Sequence, residues 1–333
     1  LIMAIYRILT LLLATTAAAE EFGPFTKDFV KFMQRNPERN EYMLSAYREY
    51  GNDGTFGGRA KDETGEISHH PVVFVHGNSD SALHHSEIAT GWTDSVHYFK
   101  DHGYNVSSLY GLSYGSRNIS DSMHNSITCR NLVGLRRFLE AIIAYTQTEK
   151  VDIVAHSMGV SLARKAIQGG MVVSLDQYYS TPPTVTSQVD AFVAIAGANY
   201  GMCMCLQDSL KGEAACGQKG FGPGTCGKSE GTSDQCGDED EECEEDDYAS
   251  ILRQINNGTK EATFLASLWS KDDIVVGKNN LVWGRKTSKV PYSDYTHAYS
   301  GFTHFQMKNE TTADQFNLVT RHSRHPLRSK RNH

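Results

Sequence analysis

Short apolar runs alternate along the chain with longer segments whose apolar residues recur every three or four positions. The runs predict strands at 71–75, 105–109, 150–155, 190–196, 262–269 and around 290–298. The longer segments predict helices at 93–102, 130–145, 158–168, 248–255 and 305–320. Strands that alternate with helices form mostly parallel sheets that are covered on both faces. The pattern therefore predicts an α/β fold.

The segment 130–145 has the clearest helical period. Leu132, Leu135, Leu139 and Ile142 recur at intervals of three and four, which places them on one face of a helix. We expect that face to lie on the sheet.

Length and composition indicate one main domain with additions at both ends. The chain has 333 residues, of which 39% are hydrophobic and 21% are charged, so it can bury a sizeable core. We predict the main domain at 71–320, an N-terminal helical appendage at 20–70 and a basic C-terminal tail at 321–333.

The first 19 residues have the pattern of a secretory signal peptide. Arg7 precedes an apolar stretch at 8–14, and a run of small residues ends at Ala19, the expected cleavage site. The apolar stretch is too short to span a bilayer, so we expect a secreted, extracellular protein with no transmembrane segment. Four sequons are compatible with a glycosylated secreted protein; they lie at Asn105, Asn118, Asn257 and Asn309.

A glycine-rich insert at 201–247 holds six of the seven cysteines: Cys203, Cys205, Cys216, Cys226, Cys236 and Cys243. In oxidising surroundings, disulfides hold together a segment that cannot bury a core of its own. Three bridges within the insert would leave Cys129 outside them, and fifteen connectivities are compatible with the sequence. A zinc site is the alternative, but the spacing lacks the paired C-x-x-C units typical of structural zinc, so we predict no metal.

The same insert carries the densest run of acidic residues in the chain. Residues 234–247 include ten acidic side chains and no basic ones, whereas the formal net charge of the whole chain is only −7. Such a run is typically a solvated loop. The alternative is a lid or a partner surface near the mouth of a site, because the insert follows the predicted strand 190–196.

The pentapeptide 155–159, Ala-His-Ser-Met-Gly, follows directly on the apolar run 151–154. A buried strand that enters a sharp turn into a helix lifts a serine at the turn above the sheet, where its hydroxyl can attack a carbonyl carbon. Small residues must flank such a serine, because its backbone is strained and the following helix passes close by. Ala155 and Gly159 meet this requirement, so Ser157 is the predicted nucleophile.

A serine nucleophile needs a base to accept its proton and an acid to orient that base, and both follow the serine along chains of this fold class. Asp272 lies just past the predicted strand 262–269, in the crevice where α/β sheets bind ligands. We predict Asp272 as the acid rather than Asp273, because a shift of one residue turns a side chain elsewhere. His304, on a loop before the last predicted helix, is the predicted base. His156, beside the nucleophile, is expected to have a packing role.

Two backbone N–H groups are predicted to form an oxyanion hole, which stabilises the negative charge that develops on the carbonyl oxygen. One belongs to Asn78, which follows the strand 71–75 and the dipeptide His76-Gly77. The other belongs to Met158, at the start of the helix after the nucleophile.

Together these segments resemble the class 2 lipases, small secreted α/β-hydrolase esterases and triacylglycerol lipases of bacteria and nematodes. Five ordered blocks between residues 71 and 320 carry the resemblance; they are 75–77, 155–159, 196–199, 270–275 and 301–304. The resemblance implies an α/β-hydrolase fold with Ser157 as nucleophile, Asp272 as acid and His304 as base, and with Asn78 and Met158 as oxyanion donors. Many relatives have an apolar residue in place of Asn78, and the bacterial members lack the cysteine-rich insert.

The resemblance implies a secreted serine hydrolase of carboxylic esters, a lipase that acts on fatty-acid esters such as acylglycerols through an acyl-enzyme. This chemistry requires no metal and no organic cofactor. The expected partners are a lipid or other ester substrate and a lipid interface, and no nucleic-acid partner is predicted. Two alternatives remain on the same scaffold: an acyltransferase, in which an alcohol other than water takes the acyl group, and a non-catalytic secreted binding protein.

Overall fold

A sheet of seven strands forms the centre of the computed structural model, which describes residues 22–61, 63, 67, 69–173, 178–227, 235–238 and 247–321. In chain order, the described strands are β1 (Thr55–Phe56), β2 (Val72–Val75), β3 (Leu109–Leu112), β4 (Val151–His156), β5 (Gly170–Val173), β6 (Tyr178–Thr181), β7 (Val189–Ile195), β8 (Phe264–Ser270), β9 (Leu281–Val282), β10 (Arg285–Lys286) and β11 (Tyr295–Tyr299). The central sheet has the order β1-β3-β2-β4-β7-β8-β11, and each neighbouring pair except β1 and β3 is parallel. The pairs β5–β6 and β9–β10 form two small antiparallel sheets.

Helices connect most of these strands. The described helices are α1 (Lys27–Met33), α2 (Glu41–Glu49), α3 (Thr93–Asp101), α4 (Cys129–Thr146), α5 (Met158–Gln168), α6 (Gln235–Asp238), α7 (Ser250–Asn256), α8 (Gln306–Asn309) and α9 (Thr312–Arg321). Short 3-10 turns cover Val106–Ser108, Ile119–Asp121, Thr186–Gln188, Cys203–Leu206, Asp208–Leu210, Ala214–Cys216 and Lys278–Asn280. Within the described parts of the chain, no helix has both the length and the apolar character needed to cross a bilayer.

Alternate side chains of β2 belong to two different hydrophobic cores, because successive residues of a strand point to opposite faces of its sheet. Val73 and Val75 pack with residues of α1, α2, α4, α5 and α7. Val72 and Phe74 pack with residues of α3, α8 and α9 on the other face. Helices therefore cover both faces of a mostly parallel sheet, which confirms the predicted α/β architecture.

Helix α4 presents the predicted apolar face to the first of these cores. Leu132, Leu135, Leu139 and Ile142 are all buried there. The helix begins after Thr128, whose side chain accepts a hydrogen bond from a backbone N–H of the first turn.

Several element boundaries differ from the sequence prediction. The predicted strand 105–109 begins only at Leu109, because 106–108 forms a 3-10 turn. The predicted final helix is split into α8 and α9. Residues 22–56, predicted as part of an appendage, share the core of the sheet, since Phe25 and Phe29 are buried in it and β1 adds an antiparallel edge strand.

Disulfides hold the cysteine-rich insert, as predicted. Cys203 is bonded to Cys236 and Cys205 to Cys216, and Cys226 is also disulfide-bonded. Cys129 is buried in the main core, outside the insert. Cys243, the predicted signal peptide and the predicted tail beyond residue 321 lie outside the described residues.

The four sequons lie at or near the surface. The asparagines at 105, 118 and 257 are exposed and Asn309 is half-buried. Glycosylation at these positions stays a prediction.

Candidate active site

Ser157 occupies the sharp turn between β4 and α5. Its backbone dihedral angles are φ 54° and ψ −128°, a conformation that is strained for a residue with a side chain. The N–H of Ser157 donates to the carbonyl of Ile195 at 2.9 Å, which ties the turn to the end of β7. The strain therefore lies at the residue that the sequence predicts as the nucleophile.

Two glycines allow neighbouring backbone segments to pack closely against the turn at Ser157. A Cβ atom on Gly159 would clash with the carbonyl oxygen of His76, and one on Gly77 would lie 2.9 Å from the Cβ of Ser157. Both positions therefore require glycine. Helix α5 and the loop after β2 can approach Ser157 from two sides for this reason.

Three side chains that are far apart in the sequence form one hydrogen-bonded chain. His304 Nε2 lies 2.8 Å from Ser157 Oγ, and His304 Nδ1 lies 2.7 Å from Asp273 Oδ2. Asp273 is fully buried and His304 is 5% exposed. Ser157 follows the carboxyl end of β4, His304 that of β11 and Asp273 that of β8, and all three strands are parallel members of the central sheet.

The carboxylate that contacts His304 belongs to Asp273, and not to Asp272 as the sequence predicted. Asp272 is exposed, and its Oδ2 accepts a hydrogen bond of 2.6 Å from the N–H of Gly301. Asp272 thus shapes the loop that carries the histidine, while its neighbour orients the imidazole ring.

A turn after β8 explains the difference. The prediction assumed that strand alternation continues past the end of the strand, but the chain turns after Ser270. Within the turn, Asp273 Oδ1 accepts the N–H groups of Val275 at 3.0 Å and Val276 at 3.4 Å. These bonds hold the carboxylate so that Oδ2 faces His304.

His156 holds the loop of His304 through a hydrogen bond to its backbone. Its Nε2 lies 3.0 Å from the carbonyl oxygen of His304, and the two ring centroids are 4.8 Å apart. Burial lowers the pKa of His156 well below its usual value, so the ring is neutral. Because a carbonyl oxygen only accepts, the proton of His156 is on Nε2. This contact agrees with the packing role that the sequence suggested.

His76 fixes the loop that carries Asn78. Its Nε2 accepts the N–H of Tyr114 at 3.0 Å, so the ring proton is on Nδ1, which donates to the carbonyl of Gly77 at 2.7 Å. The hydroxyl of Tyr114 donates in turn to the carbonyl of His76 at 2.5 Å. Complete burial lowers the pKa of His76 from 6.5 to about 4. The loop therefore depends on a neutral imidazole.

The buried His76 should make the stability of the protein depend on pH. Its folded pKa lies below its unfolded pKa, so between pH 6.5 and 4 the unfolded chain binds more protons and stability falls as the pH falls. This residue alone should lower the free energy of unfolding by roughly 2 kcal/mol between pH 7 and pH 5. Urea denaturation at both pH values measures the loss. In a folded His76→Gln variant the loss should be smaller, and an equal loss in both proteins would contradict the assignment.

Both predicted oxyanion donors border the space in front of Ser157. The side chain of Asn78 is engaged elsewhere, since Nδ2 donates to the carbonyl of Ser122 at 2.7 Å and Oδ1 accepts from Asn125 at 2.9 Å. These bonds hold its backbone in place. The N–H of Met158 is the first of α5, and such an N–H has no acceptor within its own helix.

A buried ion pair, which the sequence analysis missed, joins the loop after β2 to α8. Lys308 Nζ lies 2.6 Å from Asp80 Oδ2, and both side chains are almost fully buried. Burial raises the pKa of Asp80, but the charge of Lys308 and the N–H groups around the carboxylate outweigh it, so the net pKa is lowered. Asp80 Oδ1 also accepts the N–H groups of Ser81 and Gly91, each at 2.9 Å.

A mostly apolar cavity of about 280 Å³ opens in front of Ser157 and His304. Apolar side chains from three parts of the chain line it; they include Ile119, Met123, Met202, Met204, Phe221 and Phe305. Three of these side chains, at 202, 204 and 221, belong to the cysteine-rich insert. The described part of the insert therefore forms one wall of the cavity.

One further group of side chains has the composition of a metal site. Among the described residues, ligand atoms of His70, Asp152 and Asp190 lie within 4.8 Å of one another, at the amino ends of their strands. The ammonium group of Lys150 already binds Asp190 at 2.7 Å, and burial raises the pKa of Asp152 well above its usual value. Both features disfavour a bound cation, and this group lies at the opposite end of the sheet from Ser157.

Comparisons with known proteins give one matching family model and a set of similar solved structures. The family model described as Lipase (class 2) matches residues 69–317. Among solved structures, the chain is similar to Aspergillus fumigatus lipase B, with 14% identity and a TM-score of 0.45 over 76% of this chain and 52% of that one. The chain thus spans about half the length of that lipase. It is also similar to the Pyrococcus furiosus esterase Pf2001, with 12% identity and a TM-score of 0.45 over 77% of this chain and 84% of that one. A comparison with curated proteins finds no match.

Proposed function

The chain belongs to the class 2 lipase family, and from this premise we propose that it hydrolyses carboxylic esters with Ser157, His304 and Asp273 as its catalytic triad. The observation that supports the proposal most is the continuous hydrogen-bonded chain from Ser157 Oγ through the imidazole to Asp273, with links of 2.8 and 2.7 Å. In this arrangement a histidine can accept the serine proton while a buried carboxylate holds its ring in the correct tautomer.

The reaction proceeds in two halves. Ser157 Oγ attacks the acyl carbonyl carbon and its proton passes to His304 Nε2, while Asp273 stabilises the imidazolium that forms. The N–H groups of Asn78 and Met158 donate to the oxyanion. His304 then returns the proton to the leaving alcohol, which leaves an acyl-enzyme. Water attacks this ester by the same route and releases the carboxylic acid.

The surroundings of the triad favour a lipid ester as substrate. The cavity is lined mainly by apolar side chains, which suit an acyl chain. Two of its lining residues are large exposed apolar side chains, Ile119 at 44% and Phe305 at 38%, and Ile274, which precedes the lining residue Val275, is 85% exposed. An exposed apolar group around a site entrance is typical of contact with a lipid surface. The substrate class is therefore fatty-acid esters such as acylglycerols.

The disulfides support an extracellular location. Such bonds persist in oxidising compartments and are rare in the cytosol, and two of them stabilise the insert that borders the cavity. A secreted lipase would meet both its substrate and these redox conditions outside the cell.

Covalent labelling tests the proposed nucleophile. The purified protein is incubated with an alkyl fluorophosphonate, which reacts with activated serines, and the modified peptide is identified by mass spectrometry. We expect one adduct, on Ser157, and loss of p-nitrophenyl ester hydrolysis in proportion to labelling. Ser161, in the helix α5 that follows Ser157, provides the internal control and should remain unmodified. Full hydrolytic activity after complete labelling of Ser157 would refute the assignment.

Product analysis separates hydrolysis from acyl transfer. In the presence of glycerol as an acceptor, a hydrolase releases mainly free fatty acid. An acylated acceptor as the main product would instead identify an acyltransferase.

A further inference from the structure

The insert and the loop that follows β3 both line the cavity. Met202, Met204 and Phe221 belong to the insert, and Ile119 and Met123 belong to the loop. The two segments also touch directly, since the N–H of Ala215 donates to the carbonyl of Met123 at 2.9 Å. The shape of the cavity therefore depends on how the insert packs against this loop.

Two disulfides hold the wall at the points where it borders the cavity. Met204 stands between Cys203, which is bonded to Cys236, and Cys205, which is bonded to Cys216. Ala215, another lining residue, directly precedes Cys216. The disulfide between Cys205 and Cys216 thus fixes the spacing of two lining residues.

Backbone hydrogen bonds connect the remaining parts of the wall. The N–H of Met202 donates to the carbonyl of Phe221 at 2.9 Å, and the N–H of Phe221 donates to the carbonyl of Ala215 at 2.7 Å. Methionine alone is a flexible lining residue. Here its backbone is held from both sides, so the wall has a defined position.

The volume of the cavity indicates how much of an acyl chain the wall can enclose. An apolar cavity of about 150 Å³ binds one benzene molecule, and this cavity has about 280 Å³, so it encloses roughly ten carbon atoms. An acyl group of about eight to ten carbons fills this space, whereas the end of a longer chain extends into the solvent.

From this geometry we infer that the disulfide-fixed wall of Met202, Met204 and Phe221 is an acyl subsite that selects esters of medium-length fatty acids. The inference rests on the proposed ester hydrolysis. It assigns substrate selection to the insert and chemistry to the triad on the sheet.

Chain-length profiles of wall variants test the inference. The kcat/KM values for p-nitrophenyl acetate, octanoate and palmitate are measured for the wild type, Met204→Trp and Met171→Trp. The wild type should prefer octanoate to both other esters. Met204→Trp fills the cavity and should lower the octanoate-to-acetate ratio at least tenfold. Met171 is 62% exposed on β5, so its variant makes the same substitution outside the cavity and should keep the wild-type ratio.

Two further variants keep the test decisive if Met204→Trp does not fold. Met204→Ala enlarges the cavity and should raise the dodecanoate-to-octanoate ratio several-fold. Removal of the disulfide in the Cys205→Ser/Cys216→Ser double variant should reduce the preference for octanoate over palmitate at least fivefold. Wild-type ratios in folded variants of these kinds would overturn the inference.

Failure of the inference differs from failure of the proposed function. If the wild type hydrolyses esters but its wall variants keep the same profile, the subsite is refuted and the triad stands. If the wild type hydrolyses none of the three esters and Ser157 does not react with the fluorophosphonate, the proposed function itself fails.

Discussion

Replacement of Asp273 by asparagine is expected to lower kcat/KM for ester hydrolysis by about 10⁴-fold. The amide is neutral, so it cannot stabilise the imidazolium as the carboxylate does, and its NH₂ group can donate to Nδ1, which favours the wrong tautomer of the ring. The side chain is fully buried 2.7 Å from Nδ1, so solvent cannot take over its role. Esterase assays of the purified variant measure the loss, with the fold verified by circular dichroism.

Asp272→Asn provides the matched control, because it makes the same change one residue earlier. Asp272 is exposed, and within the described parts of the chain its carboxylate accepts only the N–H of Gly301, a bond that an asparagine oxygen can also accept. We expect kcat/KM within about tenfold of the wild type, since only the position of the histidine loop is affected. A larger loss for Asp272→Asn than for Asp273→Asn would reverse the assignment of the acid.

Loss of the ammonium group in Lys308→Met should lower the free energy of unfolding by about 3–5 kcal/mol. The substitution leaves the buried carboxylate of Asp80 without its partner at 2.6 Å, and an uncompensated buried charge is strongly destabilising. The loss is measured by urea denaturation at pH 7.

A double variant and a surface pair serve as controls for this effect. Asp80→Asn/Lys308→Met removes both charges, and the introduced amide keeps an oxygen for the neighbouring N–H groups, so the double variant should be more stable than Lys308→Met alone. Lys260 and Asp294 form a partly exposed pair at 2.7 Å, and Lys260→Met should cost less than about 1 kcal/mol. Equal losses for Lys308→Met and Lys260→Met would show that the buried pair has no special role.

The sequence predicted those features that depend on local pattern. The apolar run of β4, the small residues at 155 and 159 and the helix that follows specify the turn of Ser157 without reference to the rest of the chain. The buried apolar face of α4 was predicted in the same way, from apolar residues at intervals of three and four. His304 was predicted as the base because it lies on a loop between a predicted strand and the last predicted helix.

Features that depend on the path of the chain after a strand were harder to predict. Asp272 and Asp273 are equally suited by residue type, and the turn bonds to Val275 and Val276 decide between them. These bonds depend on the geometry of the turn. The alternation of side chains between the two faces of a strand does not continue into a turn.

Contacts between distant segments were missed for a related reason. Asp80 and Lys308 are 228 residues apart, and neither belongs to a motif that marks it as buried or paired. The position of the insert was likewise a hypothesis, because its cysteines are compatible with many connectivities. Only the folded chain brings Met204 and Met123 to the lining of one cavity.

The separation of the cavity wall from the catalytic framework has an evolutionary consequence. The proposed catalytic residues follow strands of the buried core, where most substitutions would be harmful. The insert is a loop segment held by its own disulfides. Substitutions there can alter which esters enter the cavity while the proton-transfer residues stay unchanged. Descendants of such a protein can therefore diverge in substrate preference while they keep the same catalytic mechanism.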